Sequence, residues 1–301
     1  MSIEITFLGT SSMVPTKDRN VQSIHLSYEG EGILFDCGEG TQRQMNIAGI
    51  NRLKVKKIFI SHWHGDHVSG LIGLIQTIGN TDYPDTLEIY GPEGTKGYMK
   101  NILNSCIFDL RINLEVKEFN IKNKKKVYEG KKYYVEAIPL EHGVPCVGYA
   151  FVEKDKRRVD MNSLKKYGLK TGPLIGKLQK GMDVEFKSNK ISFKDVTHLE
   201  KGKKITIIMD TKYTSNCEVL AKDADLLISE ATYSSERKDK AEEYNHMTAE
   251  QAAFVANNAG VKELILTHFS QRYKVLNELK EEAEEIFPNV KLAFDFMKIK
   301  M

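Results

Sequence analysis

A chain of 301 residues with 41% hydrophobic side chains can bury a large core, and its length suits one α/β catalytic domain spanning 1–301. Its 44 basic and 41 acidic residues leave a formal net charge of only +3, so any affinity for a polyanion has to come from a local patch. No run of about 18 apolar residues occurs, and Met1-Ser2-Ile3-Glu4 lacks a basic and apolar leader pattern, which excludes a membrane-spanning helix and points to a soluble, untargeted protein. Cys37, Cys106, Cys146 and Cys217 form no Cys-x-x-Cys pair, so neither a zinc knuckle nor a redox motif is indicated, and reduced thiols in the cytoplasm are expected.

Ile3 to Leu8 alternates with period two and stops at Gly9, predicting a first strand. A polar loop from Gly9 to Asn20, longer than the usual connection, precedes a second strand around Ser23 to Tyr28. Gly32 to Asp36 reads as a third strand, turned by Cys37-Gly38-Glu39-Gly40 into a helix beginning near Thr41. The apolar run Ile58-Phe59-Ile60 leads directly into Ser61-His62-Trp63-His64-Gly65-Asp66-His67, and Leu71, Leu74, Ile75 and Ile78 then predict a helix from Val68 to Ile78. Leu87 to Tyr90 is a strand, Thr95 to Asn104 a helix, and Val116 to Phe119, Tyr133 to Ile138 and Cys146 to Phe151 are strands.

Between Lys154 and Lys180, nine lysines and arginines are opposed only by Asp155 and Asp160, and Gly172-Pro173 interrupts the stretch. A solvated insertion without a role is one reading. The other is an arm for a polyanion, because phosphate neutralisation releases counterions. The second half returns to α/β alternation: Ile205 to Met209 ends at Asp210-Thr211, Leu226 to Ser229 at Glu230-Ala231-Thr232-Tyr233, and Glu263 to Thr267 at His268. A helix is expected over Thr248 to Asn258, preceded by Asn245-His246-Met247, and a last one over Val275 to Ile286, stopped by Pro288.

Three histidines and an aspartate within six positions need a common partner, and a metal pair supplies it better than packing does. His142, Asp210 and His268 each come after an apolar strand, as the His62 to His67 cluster does, and in α/β sheets such strand ends converge on one site. A consistent assignment gives one metal His62, His64 and His142, the other Asp66, His67 and His268, with Asp210 bridging. Imidazole and carboxylate without thiolate fit zinc, with manganese or iron admitted by ligand type. Two such ions roughly 3.5–4 Å apart would activate a shared water for hydrolysis of a phosphodiester. His25 and His198 read as structural, whereas His246, at a helix start with Glu230 upstream, leaves a general-acid role and a structural one equally open.

These residues resemble the metallo-β-lactamase superfamily, whose αββα four-layer sandwich carries a dinuclear site on a His-x-His-x-Asp-His loop. A narrower resemblance, over nearly the whole chain, is to the ribonuclease Z family. It rests on Phe7-Leu8-Gly9-Thr10 with Pro15-Thr16-Lys17-Asp18-Arg19-Asn20, and on Asp36 to Gln44, His142 to Tyr149, Asp210-Thr211, Ser229 to Tyr233 and Leu266 to Tyr273. It implies a short-form, zinc-dependent endoribonuclease that removes the 3′ trailer of precursor tRNA by hydrolysis 3′ of the discriminator. The tRNA would keep a 3′-hydroxyl and the trailer a 5′-phosphate. Two Zn2+ per subunit are implied, with Mn2+ as a substitute. Asp66 would accept a proton and Glu230 with His246 would donate one to the leaving group. Lys17, Arg19, Asn20, Thr211 and Arg272 would touch substrate.

The same resemblance makes 154–182 an exosite arm, with Gly172 and Pro173 in its Gly-Pro element, gripping the tRNA elbow from the partner subunit of a cytoplasmic homodimer. His246-Met247-Thr248 departs from the family's usual His-Ser-Thr, Met209 stands where glycine is common, and Trp63 where leucine is common. A thioesterase or lactamase would leave the basic stretch unexplained, a general phosphodiesterase is the nearer rival, and the full ligand set argues against a non-enzymatic RNA-binding module.

Overall fold

In the computed structural model, which describes residues 3–81, 83 and 85–301, the alternating segments of the N-terminal part pair into one mixed sheet. Its strands are β1 (Ile3–Gly9), β2 (Ser23–Tyr28), β3 (Glu31–Phe35), β4 (Val55–Phe59), β5 (Thr86–Gly91) and β6 (Asn113–Glu118). β1, β2 and β3 are antiparallel, and β3 to β6 are parallel. Parallel pairing requires crossovers, which here contain α1 (Thr41–Ala48), α2 (Gly65–Val68), α3 (Leu71–Gly79) and α4 (Thr95–Asn104). Leu34, Ile58, Leu71, Leu74, Ile75, Ile78 and Met99 form a buried apolar layer between sheet and helices.

The single helix expected from Val68 to Ile78 is therefore two helices, broken at Ser69-Gly70. The Gly70 N–H leaves the helical ladder for Cys37 O at 2.9 Å. A Cβ on Gly70 would lie 2.1 Å from Gly38 O, and one on Gly38 would lie 2.2 Å from Asp66 O. Two backbones thus touch where only glycine fits.

The second sheet begins with β7 (Lys125–Glu129), β8 (Tyr133–Glu141) and β9 (Pro145–Glu153). After β9 the chain forms β10 (Lys156–Val159), α5 (Met161–Lys165), α6 (Pro173–Gln179), β11 (Val184–Phe186), β12 (Asn189–Ile191), α7 (Phe193–Val196) and β13 (Thr197–Glu200). The second sheet resumes with β14 (Lys204–Ile208), β15 (Leu226–Glu230), β16 (Leu264–Thr267) and β17 (Val290–Leu292), in the order β17-β16-β15-β14-β9-β8-β7. α8 (Ser215–Ala221), α9 (Lys238–Tyr244), α10 (Ala249–Ala259) and α11 (Asn277–Glu284) accompany it, and β18 (Lys298–Lys300) returns to pair with β1. Thr248 and Gln251 form a capping box that starts α10, and Gly260 at φ 65° ends it. The last helix is shorter than the expected Val275 to Ile286, because Leu276 is already its N-cap and Val275 is exposed.

The two sheets face each other through aromatic side chains, Tyr28 against Phe151 at 5.4 Å and Phe59 against Tyr149 at 5.3 Å between ring centroids. With helices outside both sheets, the four layers are αββα. Among the described residues no helix is long and apolar enough to cross a membrane.

Residues Val152–Lys203, with Gly130–Tyr134, form a second compact unit. Its own core is Leu164, Leu169, Leu178, Val184, Ile191 and Val196. Three of these lie beyond 182, so the unit is larger than the expected 154–182 segment. β10 pairs with β13 and β11 with β12. Fourteen lysines and arginines stand against seven carboxylates from Val152 to Lys203. Its two chain ends meet where Glu153 N–H donates to Lys203 O at 2.8 Å, and a Cβ on Gly202 would lie 2.0 Å from Glu153 O.

Candidate metal centre

Parallel strands deliver the residues at their C-terminal ends to one edge of a sheet, and the facing sheets bring two such edges together. β3 ends at Asp36, β4 leads to His62, His64, Asp66 and His67, β8 leads to His142, and β14, β15 and β16 lead to Asp210, Glu230 and His268. Asp210 lies among the imidazoles. Its Oδ1 is 3.2 Å from His67 Nε2 and 3.1 Å from His268 Nε2, and its Oδ2 is 3.4 Å from His142 Nε2 and 3.7 Å from His62 Nε2. His64 Nδ1 is 3.2 Å from His142 Nε2. Asp66 Oδ2 is 3.4 Å from His67 Nε2 and 3.6 Å from His268 Nε2.

Two groups capable of holding a cation result, His62, His64, His142 and Asp210 in one, Asp66, His67, Asp210 and His268 in the other. Every residue assigned from the sequence to a metal lies in one of them. Each group takes ligands from both sheets. Glu230, His246 and His268 make a third acid–imidazole cluster.

The imidazoles are turned by partners behind them. His67 Nδ1 is 2.8 Å from Asp36 Oδ2 and His142 Nδ1 is 2.9 Å from Asn245 O. His268 Nδ1 is 3.1 Å from Thr232 Oγ1, and His62 Nδ1 is 3.1 Å from Ser61 Oγ, whose own proton goes to Asp36 Oδ2. With Nδ1–H donated backwards, Nε2 of each ring presents a lone pair to the centre. His62 Nε2, His67 Nε2, His268 Nε2 and Asp210 Oδ1 are buried without a hydrogen-bond partner. Four converging nitrogen and oxygen atoms left unpaired in a core are costly unless a cation satisfies them, so the donor set fits a metal site.

The charges are closely paired: burial would lower His67, but Asp210, Asp36 and Asp66 outweigh it and hold the ring well above its ordinary value, so a cation there would displace a proton from it. Burial would raise the Asp66 and Asp210 carboxyls, but the surrounding histidines outweigh it and hold both well below the usual range. Burial and the neighbouring His67 push His62 down, which keeps its ring neutral.

Behind Asp210, the Glu230 carboxylate is fully buried. It accepts from Thr211 N–H at 2.7 Å and Thr232 Oγ1 at 2.6 Å, and His246 Nδ1 lies 3.0 Å from it. Burial works to lower His246, but the Glu230 charge and hydrogen bond raise it to about 9, so its ring carries a proton at neutral pH. His246 does not begin α10. It lies two residues before the N-cap Thr248, where its N–H donates to Ala241 O at 2.8 Å.

The remaining sequence candidates are dispersed. Arg19 Nη2 donates to Ser270 O at 3.2 Å and Tyr273 O at 3.0 Å, and Asn20 Nδ2 to Glu39 O at 2.7 Å. Both therefore fasten the Pro15 to Asn20 loop to the fold, while Lys17 is exposed. Thr211 Oγ1 donates to Lys212 O at 2.8 Å, and the Arg272 guanidinium lies 5.4 Å from the Tyr233 ring centroid. Gly172 and Pro173 start α6 in the second unit, Gly172 with φ 127°.

Sequence reasoning missed the orienting roles of Asp36, Ser61, Thr232 and Asn245. Only Asp36, a carboxylate at a strand end like the others, carried a readable signal. A cavity of about 620 Å³ opens beside the centre, lined by Met13, His64, Asp66, His142, Asp210 and His246 together with Ser12, Gly65, Tyr233 and Tyr244.

A family model described as Anti-Pycsar protein Apyc1 matches residues 3–142. Ribonuclease Z of Methanothermobacter thermautotrophicus is 42% identical over 300 residues, covering 99% of this chain and 97% of that protein. Ribonuclease Z of Bacillus cereus is 39% identical, covering 97% of each. Among solved structures, human tRNase Z, short form (ELAC1), is 29% identical with a TM-score of 0.73, over 98% of both chains. The metallo-β-lactamase fold protein YhfI of Bacillus subtilis is 18% identical with a TM-score of 0.70, over 100% of this chain and 99% of that one. Matched along almost its entire length, the chain belongs to the ribonuclease Z family of metal-dependent endoribonucleases, with the metallo-β-lactamase fold.

Proposed function

We propose that the chain is a zinc-dependent endoribonuclease that removes the 3′ trailer of precursor tRNA. It cuts 3′ of the discriminator and leaves a 3′-hydroxyl on the tRNA and a 5′-phosphate on the trailer. The observation that carries this reading is the sharing of Asp210 between two largely buried ligand groups, in which His64 is exposed, beside a cavity that also receives His246. The names of the relatives, ribonuclease Z and tRNase Z, supply the substrate class.

His62, His64 and His142 would hold one ion and Asp66, His67 and His268 the other, with Asp210 placed within reach of both groups. Nitrogen and oxygen donors without thiolate suit two Zn2+, and Mn2+ is an acceptable substitute. When bound, such ions supply Lewis acidity and activate water near neutral pH. Asp66, ionised and held by Met13 N–H at 2.8 Å from its Oδ2, takes the proton that the attacking water loses. His246, protonated and oriented by Glu230, gives a proton to the departing ribose oxygen. Lys17 and Arg272, both exposed, make phosphate contacts that position the RNA.

The basic second unit grips the tRNA elbow, on a substrate held by the partner subunit of a homodimer. Its charge excess supports that role. Four free cysteines suit the reducing cytoplasm.

The test is to strip the protein with a chelator, restore Zn2+ or Mn2+, and map the cut on a 5′-labelled precursor tRNA. A single cut after the discriminator is expected; no product with either ion sinks the proposal.

A further inference from the structure

Met13 has a backbone conformation that its residue type resists. Its φ is 57°, and Val14 N–H donates to Ser12 O at 2.6 Å, closing a three-residue turn around it. Such positive-φ turns are rare and strained for a residue with a Cβ, whereas glycine adopts them freely. The one hydrogen bond from Met13 to the centre, N–H to Asp66 Oδ2, uses only backbone. Glycine would make it equally well.

Packing does not explain the methionine either, because the side chain is 77% exposed. What it does have is a position on the wall of the cavity beside Asp66 and Asp210. Of the residues lining that cavity, Met13 and Tyr244, the latter 50% exposed, are the two that present large apolar surface to solvent. The opposite chemistry, imidazole and carboxylate, suits a phosphodiester. The apolar part of an RNA substrate is the face of its bases, and a flexible, polarizable thioether packs well on an aromatic face.

We infer that Met13 is a substrate-contacting residue whose thioether packs on a nucleobase adjoining the scissile phosphodiester. This rests on the endoribonuclease reading above. The strain of carrying a Cβ at this position, which buries no side chain, is thereby tied to recognition, as strained residues at binding sites often are.

The experiment compares wild type, Met13→Ala and Met13→Gly on RNA substrates that carry either a base or an abasic sugar at each nucleotide flanking the cut. In the wild type, removing one of the two flanking bases is expected to lower kcat/KM roughly three- to tenfold, the size of a sulfur–aromatic contact. In both variants that penalty should shrink to within about twofold, since the partner of the base is already gone. Met13→Ala keeps the Cβ and its strain, so a higher Tm for Met13→Gly than for Met13→Ala separates strain relief from loss of the thioether. An undiminished abasic penalty in Met13→Ala, or no penalty in the wild type at either position, overturns the inference. A wild type that cleaves precursor tRNA but behaves so refutes Met13 alone; one that cleaves no RNA refutes the endoribonuclease reading and the inference with it.

Discussion

His246 Nδ1 lies 3.0 Å from Glu230 Oε1, and Thr232 Oγ1, 2.6 Å from Glu230 Oε2 and 3.1 Å from His268 Nδ1, couples that pair to the candidate metal centre. One hydroxyl therefore serves two jobs. It donates to the carboxylate that keeps His246 protonated, and it accepts the proton that turns His268 Nε2 towards Asp210.

A proton donor matters most when the leaving oxygen is a poor one. His246→Ala is expected to slow RNA cleavage by about 10²–10⁴, and to cost far less on bis(p-nitrophenyl) phosphate, whose leaving group needs no proton. Because His246 must be protonated to act, activity should hold until the pH passes about 9 and fall above it. Glu230→Gln removes the charge that raises His246, so this limb should move to lower pH. An alkaline limb that stays put in Glu230→Gln assigns it to another group.

Asp36 adopts φ 60° and holds His67 from behind. Asparagine tolerates that backbone conformation, so Asp36→Asn isolates the lost charge and acceptor. Metal affinity, measured by chelator competition, is expected to fall about 10- to 100-fold, and the Tm of the metal-free protein to fall as well, because Asp36 also accepts from Ser61 N–H and Oγ. Unchanged affinity refutes the orienting role.

Removing metal leaves His62 Nε2, His67 Nε2, His268 Nε2 and Asp210 Oδ1 unpaired again. Chelated protein should melt lower than protein with zinc restored, by an amount equivalent to about 2.7 kcal/mol at a free metal concentration 100 times Kd. Differential scanning calorimetry against Zn2+ concentration reads this directly, and a concentration-independent Tm contradicts it.

His25, away from the centre on β2, is buried and its Nε2 has no hydrogen-bond partner. Burial pushes its pKa from 6.5 down to about 4, against the pull of Glu4 and with that of Lys298. Between those values the unfolded chain binds the proton and the folded one does not, so stability falls as pH drops from 6.5 towards 4, by roughly 3 kcal/mol. His25→Gln should lose less stability over that window in urea melts at several pH values; parallel curves for variant and wild type refute the assignment.

Excising the basic unit is best done where its ends already pair. Joining Glu153 to Lys203 through a short Asn-Gly turn removes the whole six-residue core, whereas cutting from 156 to 180 would strip Leu164, Leu169 and Leu178 from Val184, Ile191 and Val196 and expose them. RNA cleavage should drop at least tenfold while turnover of a small aryl phosphodiester persists. Equal loss of both makes the unit structural.

The candidate metal ligands were legible because the His62 to His67 cluster, His142, Asp210 and His268 each follow an apolar strand, a pattern that survives without any knowledge of pairing. Thr232 and Asn245 were not, since a hydroxyl and a backbone carbonyl acquire their role only when β15 and the segment after α9 are brought beside His268 and His142. β7 escaped notice because Lys-Lys-Val-Tyr-Glu lies at a sheet edge and need not alternate cleanly, and α9 because Lys-Asp-Lys-Ala-Glu-Glu-Tyr has almost no apolar stripe. Of the two helices over-read, Val68 to Ile78 has good periodicity but loses a ladder hydrogen bond to Cys37, a long-range contact that periodicity does not encode.

Both candidate ion sites draw ligands from both sheets. For a chain synthesised from its N-terminus, the site of His62, His64 and His142 stays incomplete until Asp210 leaves the ribosome, and the site of Asp66 and His67 until His268 does. An ion at either site would thus be captured only in the later part of synthesis, and would then crosslink the two sheets of the sandwich.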